Sequence, residues 1–266
     1  MMIIFPHMPK AAGQTILEHL VKIFGDESIA VDYTGTPIQY SKARIPVNRN
    51  LKRSVKKWMA SSKVLSPILS AIRDSRARNL SLEDVAELPN QGIKVLYGHF
   101  PFEKYIHTFK DAETAILLKD PWERCVSHYL YWRREYDNIK DFLPKWFNPD
   151  TAFSYFIEQD EIVNLQSKYL EGVELRDVTL LGTSDDVKGF VERLYERYVG
   201  EIPPIEDIRI NVRTNGLDIP DEELSAIKQR FEQLNAQDIS LYREAKYILG
   251  EGRVEIRAEL RSDLYV

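Results

Sequence analysis

Short apolar runs alternate along the chain with longer segments whose apolar residues recur at helical spacing. The runs Met2–Phe5, Ile29–Asp32, Lys94–Tyr97, Thr114–Leu118 and Val178–Leu181 read as strands. Helical spacing covers Gly13–Phe24, Pro121–Tyr136, Ala152–Glu158, Asp186–Tyr198 and Asp221–Asn235, with a last helix over Asp238–Leu249. Strand and helix taking turns in this way predict an α/β fold: a central, mainly parallel sheet flanked by helices in three layers. Residues 1–266 read as a single domain, with no internal repeat and no low-complexity tract.

One segment breaks the pattern. Lys42 to Arg78 carries eleven Lys/Arg residues against a single acid, Asp74. Residues 40–80 therefore read as a basic, helical insertion within the domain. It is either a solvated face or an electrostatic funnel for an acidic acceptor or a membrane surface. The chain as a whole carries a net charge of −5, so basic character is local and nucleic acid is not an expected partner. Cys125 is the single cysteine, which rules out an internal disulfide framework and a cysteine-cluster metal site. No apolar run approaches the ~18 residues of a membrane span, and "MMIIF" is no signal peptide. The expectation is a soluble, cytoplasmic protein.

Candidate chemistry enters where the first strand ends. "IIFPHMPKAAGQTILEHL", residues 3–20, is an apolar run, a loop with one lysine and small residues, and a helix. This is a P-loop-like strand–turn–helix, yet it lacks the order G-x-x-x-x-G-K-[ST] of nucleoside triphosphatases. A helix N-terminus presents unpaired N–H groups and the positive end of the macrodipole, so it favours anions. Ala11, Ala12 and Gly13 are small enough for a ligand to approach the backbone, Thr15 offers a hydroxyl, and Lys10 supplies a mobile charge. "AILLKDPWERCVSHYLYWRR", residues 115–134, repeats the logic. Asp120 is an N-cap, Pro121 suits the first helical position and Glu123 completes a capping-box pattern. Lys119 and Ser127 stand where both reach one anion; a well-capped amphipathic helix and nothing more is the alternative.

These two stretches resemble the 3′-phosphoadenosine 5′-phosphosulfate (PAPS) dependent sulfotransferases, in particular the carbohydrate (heparan/chondroitin-like) branch. In that family a loop "PK[TA]-small-G/S-x-[ST]" binds the 5′-phosphosulfate; here Lys10, Gly13 and Thr15 match, and Gln14 stands where a small or hydroxyl residue is usual. The family's "RDPxxRxxSxY" holds the 3′-phosphate. Asp120, Pro121, Arg124, Ser127 and Tyr129 match, while Lys119 replaces the first arginine. Lysine keeps the charge without the bidentate fork, which implies a weaker or less selective grip. Arg124 is either a ligand or structural.

The resemblance also implies a general base. "KVLYGHFPFEKY", residues 94–105, is a strand ending at Gly98 and exposing His99 at the carboxyl edge where parallel sheets bind ligands. The family shows a "GH" at the equivalent place, and its histidine takes the acceptor proton, so His99 is the implied base and His7 its rival. "NLQSKYLEG", "VTLLGTSDDVKGFVERL" and "LNAQDISLYREA" resemble the same branch. Asn164 and Gln166 are candidates to face the cleft, and Arg213, in "NVRTN", to close over the nucleotide.

Together these imply sulfuryl transfer from PAPS to an acceptor hydroxyl on a sugar or glycan. Lys10 and His99 are the catalytic pair, and residues 10–15 with Lys119, Ser127 and Arg213 bind the cofactor. No metal is implied. Tyr129, Tyr131, Trp132 and Trp146 serve either as glycan platform or as core. Two other classes remain open: a silent nucleotide- or glycan-binding protein on the same fold, and a P-loop-type kinase, which Gln14 after Gly13 disfavours.

Overall fold

The structure is a computed structural model that describes residues 1–33, 39–40, 85–205 and 217–250. Apart from Tyr40, the basic insertion expected over 40–80 lies outside the described residues, as does Arg213. In chain order the strands are β1 (Ile3–Pro6), β2 (Ile29–Tyr33), β3 (Gln39–Tyr40), β4 (Val95–His99), β5 (Glu113–Leu118) and β6 (Leu180–Thr183). The helices are α1 (Gly13–Phe24), α2 (Glu103–Ile106), α3 (Pro121–Ile139), α4 (Phe153–Phe156), α5 (Leu165–Tyr169), α6 (Val187–Tyr198), α7 (Asp221–Leu234) and α8 (Ala236–Ile248).

The sheet runs β3-β2-β4-β1-β5-β6. β2, β4, β1, β5 and β6 are parallel; only the short edge strand β3, which the hydrophobic pattern did not predict, pairs antiparallel, with β2. Alternation along each strand divides the core in two. Ile3, Phe5, Val95, Tyr97, Ala115 and Leu117 pack against α1 and α6 through Ile16, Leu20, Phe190 and Leu194. Met2, Ile4, Leu96, Ile116 and Leu118 face the other side, against Tyr105, Leu170, Tyr242 and Ala245. Successive side chains of a strand point to opposite faces, so a sheet buried on both sides needs apolar residues at every position, as these runs have. The result is a three-layer α/β fold. A third apolar cluster, of Cys125, Tyr129, Phe147, Phe153, Phe156, Ile227 and Phe231, joins α3 to α4 and α7. Among the described residues no helix is long and apolar enough to cross a membrane.

Of the boundaries that differ from the pattern, two have a visible physical reason. β6 starts at Leu180 rather than Val178 because Thr179 and Thr114 exchange backbone-to-hydroxyl bonds at 3.2 Å instead of joining the ladder. α8 starts at Ala236 because buried Asn235 both ends α7, through Nδ2 to Phe231 O, and accepts from Asn164 N at 2.9 Å.

The connections position the site. α1 leaves β1 onto one face of the sheet, while α2 leaves the neighbouring β4 onto the other. Loops that diverge in this way open a crevice at the carboxyl ends of the strands. β1 and β4 end there, at Pro6 and His99, and β5 ends there at Leu118.

Candidate functional site

The loop from His7 to Ala12 is held by few bonds and by an unusual backbone. His7 N donates to Gly98 O at 2.6 Å and Ala11 N to Met8 O at 3.1 Å. Lys10 (φ 74°) and Ala12 (φ 52°) both occupy the left-handed region without being glycine. Each such residue costs about 1–2 kcal/mol relative to the right-handed region, a strain characteristic of ligand-binding turns. Ala12 is the N-cap of α1 and brings no side-chain cap, so the first N–H groups of the helix are left for another acceptor.

Gly13 has a different role from the one its sequence context suggested. A Cβ there would lie 1.8 Å from His7 Nε2, so glycine is required by the imidazole packed against it rather than by a ligand. Tyr97 Oη donates to Gly13 O at 2.7 Å and completes the floor of the turn. Ala11 likewise turns its methyl into the core. Gln14 is exposed, with Nε2 3.4 Å from Glu18 Oε1, and Thr15 is partly buried in the first turn.

Lys10 points across the loop to α3. Its Nζ stands 4.0 Å from the centroid of the Tyr131 ring, with the Arg134 guanidinium 5.6 Å from the same centroid. Burial, then the positive charges of Arg134 and Lys119, lower the Lys10 pKa to about 8, against a smaller opposing pull from Glu135. Lys119 follows β5 and is 5% exposed. Its backbone is clamped on both sides by Gln166, which accepts from Lys119 N and donates to Lys119 O, both at 2.9 Å. Its Nζ lies 3.9 Å from Glu123, and burial lowers its pKa too. Asp120 caps α3 by accepting from Glu123 N at 2.9 Å. Residues four apart share a helix face, so Glu123, Ser127 and Tyr131 form one stripe. That stripe meets Lys119 at one end and Lys10 at the other, with partly buried Ser127 between. Arg134 and Lys119 thus act together against the charge of Lys10, opposed by Glu135 there and by Glu123, Asp120 and Asp185 at Lys119.

Histidines line the same place. His99 ends β4 with its ring 5.0 Å from that of His7, centroid to centroid. Burial and then the charge of Lys10 lower its pKa to about 4, so it is neutral at physiological pH. His7 is buried, stacks on Tyr97 at 5.3 Å, and has no hydrogen-bond partner at Nδ1. Burial, His99 and Lys10 hold it well below the usual imidazole range. Sequence reasoning passed over His128, a buried imidazole on α3 whose Nδ1 is also unpartnered. Burial, then Arg124, Lys10 and His99 disfavour its charged form. Its signal was present, next to Ser127 and four residues after Arg124, but which way it faces depends on how α3 packs.

Several expectations are corrected. Asn164 and Gln166 do not face the cleft. Gln166 is fully buried in its clamp, and Asn164 is partly buried, bonded to Leu234 O and Asp238 N. Asp238 Oδ1 and Oδ2 accept from Ser167 N and Gln166 N, which latches α5 to α8. Arg124 is wholly buried and donates through Nη2 to Ile162 O at 3.1 Å, while its Nε and Nη1 have no hydrogen-bond partner. Tyr129 belongs to the core and donates to Thr151 O, while Trp132 and Trp146 pack against that third cluster. Among the described residues no group of three or more His, Cys, Asp or Glu side chains is placed to hold a metal ion. An open cleft between Tyr129, Thr151, Phe153 and Ile227 lies on a different face of α3 from this stripe.

Compared with protein-family models, curated proteins and solved structures, the chain matches none.

Proposed function

We propose that the protein is a PAPS-dependent sulfotransferase of P-loop-like fold that moves a sulfuryl group to an acceptor hydroxyl, on a sugar or glycan. One observation carries the reading. Lys10 after β1, Lys119 after β5 and His99 at the end of β4 meet at the carboxyl edge of the sheet, beside the uncapped N-terminus of α1. Lys10 and Lys119, with the Arg134 guanidinium close by, ask for a polyanion, and a nucleotide with a phosphate at each end supplies one. The resemblance of residues 3–20 and 115–134 to the sulfotransferase loops names that polyanion.

In the proposed reaction the acceptor oxygen attacks sulfur in line, forming the new O–S bond as the bond from sulfur to the bridging phosphate oxygen breaks. The acceptor proton passes to a ring nitrogen of His99, neutral in the free protein. The electron pair of the broken bond stays on the 5′-phosphate, where Lys10 and the α1 N–H groups stabilise the developing charge. Ser127 and Lys119, on and beside the α3 stripe, would hold the 3′-phosphate. A bound polyanion offsets the field of Lys10, which raises the pKa of His99 toward the range useful for a base. The products are the sulfate ester, 3′-phosphoadenosine 5′-phosphate and protonated His99, which returns its proton to water.

Calorimetric titration with 3′-phosphoadenosine 5′-phosphate tests the reading. Micromolar binding by the wild type, weakened at least tenfold by both Lys10→Ala and Ser127→Ala, is expected. No binding to the folded wild type would remove it. The silent-binder alternative is favoured by Lys119, whose charge is buried and shared with Glu123. His99→Ala separates the two: unchanged nucleotide affinity with lost turnover marks the enzyme.

A further inference from the structure

Lys10 is an ammonium in a crowded, partly buried place, and what steadies it is not a carboxylate. Among the described residues no salt bridge reaches it, and its surroundings are otherwise cationic or neutral: Arg134, Lys119, and the imidazoles of His7, His99 and His128. Glu135 exerts the smallest of the charge effects on Lys10 and is itself paired with Arg134 at 3.1 Å. The close favourable partner is the ring of Tyr131, 4.0 Å from Nζ to centroid, within the ~6 Å over which an aromatic face attracts a cation.

We infer that Tyr131 is a positioning residue: its ring holds the Lys10 ammonium over the anion-binding turn, with the Arg134 guanidinium 5.6 Å from the same ring centroid. The inference rests on the reading of Lys10 as the anion's ligand, but the ring contact exists without any ligand. The geometry has two supports. Tyr131 is one helical turn beyond Ser127 on the stripe that faces the turn, so the ring lies on the same side as the candidate phosphate ligands. Lys10 also adopts a left-handed backbone, which a lysine tolerates only at a cost, and its side chain then crosses to α3 rather than into solvent. A ring that carries a cation on its face is not free for a sugar, so Tyr131 leaves the set of aromatics available as a glycan platform.

The test compares Tyr131→Phe, Tyr131→Leu and Tyr131→Met with the wild type. Lys10 is followed by carbon-13 NMR of labelled lysine side chains, assigned with Lys10→Arg, and each variant is melted to show that it is folded. In Tyr131→Leu and Tyr131→Met the ammonium turns to solvent, so its titration rises from about 8 by one pH unit or more. Affinity for 3′-phosphoadenosine 5′-phosphate falls about tenfold. Tyr131→Phe keeps the ring and restores both within about twofold. A purely structural role for Tyr131 would not move the Lys10 titration. If that titration is the same in all folded variants, the inference is overturned; if Tyr131→Phe behaves like Tyr131→Leu, the hydroxyl acts and the inference is again overturned. If the titration shifts as expected while the nucleotide binds to none of the proteins, the positioning role stands and the sulfotransferase reading fails.

Discussion

On the proposed reading, raising the pH through 8 will loosen bound 3′-phosphoadenosine 5′-phosphate in a way that a surface lysine could not produce. The perturbation is deprotonation of Lys10, whose ammonium falls from an ordinary value of 10.5 to about 8. Burial is the main cause, followed by Arg134 and Lys119. A bound phosphate offsets both cationic neighbours and should return the pKa toward 10.5. If that return were complete, the difference of about 2.5 pH units would set a ceiling of ~300-fold on the loss of affinity between pH 7 and the plateau above 10. Lys10 is partly exposed, and solvent screening reduces such a coupling, so about 10- to 30-fold is the expected range. The ligand does not confuse the measurement, because a phosphate monoester completes its second ionisation near pH 6. Nor do His7, His99 and His128, all of which burial holds below 6.5. The assay is isothermal calorimetry with 3′-phosphoadenosine 5′-phosphate at pH 7, 8, 9 and 9.5, in two buffers of different ionisation enthalpy. About 0.4 to 0.7 of a proton should be taken up on binding at pH 9. In Lys10→Arg, whose guanidinium stays charged throughout, the affinity should be flat with pH. A flat wild-type profile with no proton uptake would refute the reasoning, as would a slope that persists in Lys10→Ala.

Two further outcomes concern the frame of the site. The depressed pKa values of His7, His99 and His128 mean that the unfolded chain binds more protons than the folded one below about 6.5. Their contribution to stability is therefore complete above pH 6.5 and is lost as the pH falls toward 4; urea midpoints measured from pH 7 to 4.5 should drop, and less steeply in His128→Phe. Gly13→Ala places a methyl where His7 Nε2 stands 1.8 Å away, so it should destabilise by about 2–3 kcal/mol in thermal melts. Adding His7→Ala should recover much of that loss, since the two changes remove and create the same clash; additive losses would show that the contact is not the cause.

Much of the scaffold was legible because its causes are local. Short apolar runs bounded by polar residues gave strands within one or two positions, and Asp120, Pro121 and Glu123 marked the start of α3 by capping chemistry that acts within one turn. The places where pattern and structure part are those where a distant partner decides. Gln166 carried no mark of its role, since its clamp is the backbone of Lys119, 47 residues away. Gly13 looked like room for a ligand, and the neighbour that needs the room is an imidazole six positions earlier, on the far side of the turn. Tyr129 and Tyr131 are two positions apart in one motif, yet one is core and the other carries a lysine, because a helix turns about 200° between them.

By itself the sequence determined that strands and helices alternate, where most of the longer ones lie, and which residues offer charge at strand ends. Periodicity and capping are short-range physics and are written in adjacent letters. Only the tertiary structure decided that β1 lies between β4 and β5, and therefore that Lys10, His99 and Lys119 share one edge. It also decided that burial, and then the charges of Arg134 and Lys119, lower the Lys10 pKa to about 8. Burial and charge repulsion depend on distances through space, which the order of residues along the chain does not carry.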